Sequence, residues 1–154
     1  MGKIFEDYFS EYQADMVSIC LEYVNEQADM IYIYCSRESN TIYGDFFFKI
    51  SGEILERHRL NEVFQESGSS IFQYDTSSER QSRALEIIIE DIEKIEMLCK
   101  QYGREMPTEI KLIYDVKKNS LKATYAYEKL WSNSRTKCAQ DIGDEWFEEI
   151  KTGK

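Results

Sequence analysis

The sequence predicts an α+β fold: an antiparallel β-sheet built from two hairpins, with a long central helix and terminal helices packed on it. Three observations carry this. Residues 30–35 and 42–50 are two β-rich runs joined by a short polar connection, the pattern of a hairpin. Residues 110–116 and 121–127 alternate apolar and polar side chains around Lys117, Lys118, Asn119 and Ser120, and Asn119 suits a positive-φ turn position. Between the two pairs, Leu85, Ile88, Ile92, Ile95, Cys99 and Tyr102 recur at steps of three and four, the period of an amphipathic helix. With 154 residues, 42% of them hydrophobic and 14% aromatic, the chain reads as one domain over 1–154 with enough apolar material for its own core.

The elements follow in order. Residues 4–25 place Phe5, Tyr8, Phe9, Tyr12, Met16, Ile19, Cys20 and Tyr23 on one stripe, so an aromatic-rich face of a first helix is buried. In the first hairpin Ile31, Ile33 and Cys35 share one face, as do Phe46, Phe48 and Ile50; Tyr43 and Phe47 point away, which predicts cover on both faces of the sheet. Residues 51–70 are read as a short helix or an irregular flap around Ile54, Leu55, Leu60, Val63 and Phe64, bracketed by Ser51-Gly52 and Ser67-Gly68-Ser69-Ser70; residues 71–74 then add a short strand. Ser78 and Gln81 form an S-x-x-Q capping box that opens the long helix, and Gly103 ends it ahead of Pro107. Ile142, Trp146 and Ile150, four residues apart, mark a closing helix.

The net charge is −10, from 29 acids and 19 bases. Phosphate contacts need Lys and Arg, so direct nucleic-acid binding is not expected, and anionic membrane surfaces repel the chain for the same reason. The excess is uneven: residues 1–77 hold 14 acids and 5 bases, and residues 78–154 hold 15 and 14. On an ideal wheel Asp7, Glu11, Asp15, Glu22, Glu26 and Asp29 fall in one sector of the first helix, of about 100°. Like charges four residues apart cost a few tenths of a kcal/mol, and anions at a helix carboxyl end oppose its dipole. A cost taken repeatedly on one face favours a basic macromolecular partner.

Signatures of catalysis are scarce. The chain has no phosphate-cradling glycine loop, no H-E-x-x-H and no G-x-S-x-G, and no catalytic residue, metal ligand or cofactor is assigned. His58, the sole imidazole, lies between two arginines and reads as a solvated residue. The pairs Glu90-Asp91, Asp144-Glu145 and Glu148-Glu149 diverge by about 100° on a helix and read as solvated faces. Cys20, Cys35, Cys99 and Cys138 are spaced as buried reduced thiols rather than as a disulfide framework. With no secretory signal and no long apolar run, a cytoplasmic protein is expected.

Several segments resemble the YezG-like family of bacterial immunity proteins, the antitoxins of polymorphic and contact-dependent toxins. They are Ile31-Tyr32-Ile33-Tyr34-Cys35-Ser36 leading to Asp45-Phe46-Phe47-Phe48, the helix end Leu98-Cys99-Lys100-Gln101-Tyr102-Gly103, and the run from Ile110-Lys111-Leu112-Ile113-Tyr114-Asp115 to Lys122-Ala123-Thr124-Tyr125-Ala126-Tyr127-Glu128. The chain departs from the family's pattern at Asn119-Ser120 and at Met106-Pro107-Thr108. The resemblance implies a non-enzymatic inhibitor that binds one cognate toxin domain, many such toxins being nucleases with a basic cleft. Glu22, Glu26 and Asp29 on the first helix, with Glu38 and Asp45 around the first hairpin, are the acids expected to pair with the toxin's lysines and arginines. The alternative reading is an acidic intracellular adaptor or regulatory protein-binding module with no toxin partner.

Overall fold

A computed structural model describes residues 2–63 and 72–153. Phe64, the Ser67-Gly68-Ser69-Ser70 loop signal and Ile71 lie outside the described residues. The element order is α1 (Phe5–Tyr23), β1 (Met30–Glu38), β2 (Thr41–Ile50), β3 (Glu53–Glu56), a 3-10 helix (Arg57–Glu62), α2 (Ser78–Gln101), β4 (Glu109–Asp115), β5 (Ser120–Ala126) and α3 (Ala139–Thr152). The five strands form one antiparallel sheet in the order β3-β2-β1-β4-β5. The fold is α+β, as the periodicities predict, with β1 as the central strand.

The two hairpins become one sheet because β1 is apolar on both faces. Ile31, Ile33 and Cys35 join Phe46, Phe48, Ile110 and Leu112 beneath α1 and α2, where Met16, Cys20, Ile88, Ile92 and Ile95 complete the main core. Tyr32, Tyr34 and Phe47 face the other way and form a second cluster with Trp146 of α3. Trp146 stands edge-on to Phe47 at 5.3 Å and to Tyr32 at 6.0 Å between ring centroids. The sheet is covered on both faces, as Tyr43 and Phe47 predict. Where α2 crosses β2 the fit requires Gly44, since a Cβ there would stand 3.0 Å from Ile88 Cγ2.

Several boundaries differ from the sequence reading. β1 and β2 run on to Glu38 and Thr41, because Ser39 (φ 51°) and Asn40 (φ 61°) make a two-residue turn whose twist suits a hairpin. Residues 53–62 form the edge strand β3 and a short 3-10 helix rather than an irregular flap, and Phe72 to Tyr74 form no strand. The α2 cap is Ser77, whose Oγ accepts from Arg80 N–H at 3.4 Å; Gln81 instead donates its side-chain amide to Thr76 O at 2.8 Å. Gly103 (φ 63°) and Asn119 (φ 51°) adopt the left-handed conformations expected of them. Among the described residues, no helix is long and apolar enough to cross a membrane. Cys20, Cys35 and Cys99 are buried free thiols, but Cys138 is exposed, because it sits at the start of α3 outside both cores.

Candidate functional site: two acidic surfaces

The acids at the end of α1 do not stay on one helical face. The helix closes at Tyr23, and Asn25 (φ 54°) and Glu26 (φ 62°) turn left-handed, with Glu26 N–H donating to Leu21 O at 2.8 Å. Glu26 and Asp29 therefore leave the wheel on which the sequence placed them. Glu22, Glu26 and Asp29 are nevertheless all exposed. Glu26 and Asp29 border a shallow cavity of about 350 Å³ with Ile50, Phe72 and Tyr74, and the Asp29 carboxylate accepts from Gly52 N–H at 3.0 Å. The dipole cost read from the sequence is offset from a distant element: Arg80 of α2 donates to the carbonyls of Glu22 and Tyr23, both at 3.0 Å, and lies 5.6 Å from the Tyr23 ring centroid.

Glu38 has a different place. Only 4% exposed, its carboxylate accepts from the N–H groups of Leu130 (2.8 Å), Trp131 (3.2 Å) and Ser132, while Trp131 Nε1 donates to Ser36 Oγ at 3.2 Å. Burial alone would raise this carboxyl, but the backbone donors outweigh it and hold the group below its ordinary range. Glu38 thus pins the connection between β5 and α3 to the β1 end, with both carboxylate oxygens accepting from backbone N–H groups.

Asp45 belongs to a second acidic surface that the sequence does not announce. A cleft of about 470 Å³ opens between α3 and the β2-β3 edge. Its walls carry four carboxylates, Asp45, Glu56, Asp144 and Glu148, beside the rings of Tyr43, Phe47 and Phe147. Among the described residues Arg57 is the one arginine in the lining; it is ion-paired to Asp45 and lies 5.3 Å from the Phe46 ring centroid. His58 Nε2 is 3.7 Å from Glu56 Oε2 at the exposed rim. Burial raises Asp45 above its ordinary value despite Arg57 and the Phe46 N–H, and burial followed by the charges of Asp141, Glu56 and Glu148 raises Asp144. Burial disfavours the charged form of both carboxyls, and at Asp144 the neighbouring charges of Asp141, Glu56 and Glu148 add like-charge repulsion that a cation would relieve.

The α3 acids escaped the sequence reading because adjacent pairs on a helix diverge. The signal was available in Asp144 and Glu148, four residues apart and so on one face, but only the docking of Trp146 turns that face toward Glu56 and Asp45. The structure brings Asp45 together with Glu56, Asp144 and Glu148, groups Glu26 with Asp29, and assigns Glu38 to the scaffold. No three His, Cys, Asp or Glu side chains among the described residues are placed to hold a metal ion. Anionic walls lined with aromatic rings suit instead an ammonium or guanidinium group, by charge and by cation–π contact. Compared with known proteins, the chain matches no family model and no curated protein.

Proposed function

We propose that the chain is an immunity protein, an antitoxin that binds and neutralises a cognate bacterial toxin of the polymorphic or contact-dependent kind, with a basic nuclease domain as its target. The observation that supports this reading is the cleft between α3 and β2-β3, whose described lining holds four carboxylates and four aromatic residues against a single arginine, itself paired to Asp45. A nuclease cleft built for phosphates presents lysines and arginines, and an acidic protein can cover it without being a substrate. The resemblance of the β1-β2 and β4-β5 segments to the YezG-like immunity proteins points the same way. Glu22, Glu26 and Asp29 add a second acidic patch that steers a basic partner, and Glu38 acts by holding the loop before α3.

The test is co-expression with the toxin domain encoded beside this gene, scored by growth rescue and by a copurifying complex. Glu56→Lys/Asp144→Lys/Glu148→Lys is expected to abolish rescue, and Glu22→Lys/Glu26→Lys to slow association and flatten its salt dependence. No rescue and no complex with the unmodified chain overturns the proposal. Rescue undiminished by the triple reversal removes the cleft from it.

A further inference from the structure

The two edges of the sheet are unequal. β3 is four residues long and runs straight into the 3-10 helix, so it offers little to a further strand. β5 has seven residues, and its phase follows from the neighbouring ladder. Val116 N–H donates to Asp29 O at 3.1 Å and Arg37 N–H to Thr108 O at 3.0 Å, so within β4 the even-numbered positions bond toward β1; only at the strand's entry does the Thr108 N–H turn the other way, to Ala126 O at 2.8 Å. Its odd positions, Glu109 to Asp115, therefore bond toward Ala126, Thr124, Lys122 and Ser120. The N–H and C=O groups of Leu121, Ala123 and Tyr125 are left pointing away from the sheet. Beside them Leu121 is 39% exposed and Tyr125 37%, although Phe9 and Gln13 of α1 touch the Tyr125 ring and hydroxyl.

We propose that β5 pairs antiparallel with β5 of a second copy of this chain, joining two five-stranded sheets into one. The strand is complementary to itself in a single register. Only when the two-fold axis passes at Ala123 do all three outward residues of each copy bond to the other, and Leu121 then lies opposite Tyr125 twice, an aliphatic-aromatic pair that stabilises adjacent strands. Lys122 falls opposite Thr124 of the second copy and so does not meet its own like charge. Beyond the strand ends Lys118 falls opposite Glu128 and Lys117 opposite Lys129, each twice, so the flanking charges neither favour nor oppose the pairing and the ladder with its Leu121-Tyr125 pairs carries it. Lys117, Lys118, Lys122 and Lys129 surround this edge, which disfavours the basic partner assigned to the acidic cleft. The occupant is a second copy, and the inference is independent of the proposed function.

Sedimentation velocity of the unmodified chain at micromolar concentration is expected to show twice the 18.3 kDa chain mass. Ala123→Pro removes an outward N–H without touching the β4 ladder and is expected to raise the dimer dissociation constant about tenfold or more. Leu121→Glu, at an exposed side chain, should do the same and serves if the proline variant misfolds. A Cys138→Ser chain carrying Lys122→Cys/Thr124→Cys should cross-link between copies on oxidation, since directly opposed non-hydrogen-bonded strand positions lie about 4.5 Å apart between Cα atoms. A monomer at all concentrations overturns the proposal, as does a dimer indifferent to both edge variants. If the chain alone is monomeric but Leu121→Glu abolishes binding of the toxin domain, the edge belongs to the toxin and the self-pairing is refuted.

Discussion

Removing the Glu38 carboxylate tests how the connection before α3 is held. Glu38→Ala leaves three backbone N–H groups, of Leu130, Trp131 and Ser132, without their acceptor, in a half-buried stretch. A hydrogen bond to a charged acceptor contributes about 1.5–3 kcal/mol; the three share one carboxylate and the freed donors rehydrate in part, so the expected loss is about 3 kcal/mol. For a chain of this size that is a fall of roughly 6–12 °C in Tm. Glu38→Gln retains one acceptor oxygen and should lose about half as much.

The pH dependence has a definite sign. The folded carboxyl titrates below its ordinary value of 4.5, so its contribution is complete above that value and disappears as pH falls through the lower folded value. Urea unfolding followed by tryptophan fluorescence, which includes Trp131 in the pinned loop, measures both effects. A Glu38→Ala chain within about 0.5 kcal/mol of the parent at neutral pH refutes the assignment. So does a difference that stays constant from neutral to strongly acidic pH.

Two further substitutions probe the helix side of the sheet. Asp91 of α2 is 1% exposed, its Oδ2 has no partner, and burial together with the hydrogen bond and charge of Asp15 on α1 raises it far above its ordinary 3.8, with Lys94 opposing and Glu90 reinforcing the shift. The folded state then holds a proton where the unfolded state has lost it, so stability falls as pH rises above that value; Asp91→Asn should gain about 2 kcal/mol at neutral pH and nothing below about pH 4, and destabilisation at every pH in a denaturant series sinks the idea. Gly44→Ala sets a methyl 3.0 Å from Ile88 Cγ2 in a packed core, and overpacking of about 2 kcal/mol outweighs the smaller entropic gain from replacing glycine, so an unfolding midpoint equal to the parent's would contradict the packing described.

The sequence by itself determined the three helices and the four strands of the two hairpins, because each rests on local periodicity, whereas β3 has no such signal and the strand expected at residues 71–74 does not form at Phe72 to Tyr74. The stripe from Phe5 to Tyr23, the alternation around Asn119 and the steps from Leu85 to Tyr102 survive in α1, the β4-β5 hairpin and α2. It also pointed to cover on both faces of the sheet, since Tyr43 and Phe47 face away from the first apolar face; the structure supplies that cover as Tyr32, Tyr34, Phe47 and Trp146. Boundaries were less legible, because they turn on single backbone conformations. Glu26 in a left-handed turn ends the acidic helical face, and Ser77 takes the cap in place of Ser78.

Function-bearing geometry was decided only by the tertiary structure. Whether an acid is exposed, anchored or clustered depends on contacts between residues far apart in the chain. Glu38 bonds across more than ninety residues to the loop before α3, and Asp45 meets Asp144 and Glu148 only because Trp146 docks α3 against Phe47. The first-half excess of negative charge marked an acidic surface, but the acidic cleft draws its carboxylates from both halves of the chain. Local composition reports how much charge a segment carries; packing decides which charges stand together and which are already satisfied.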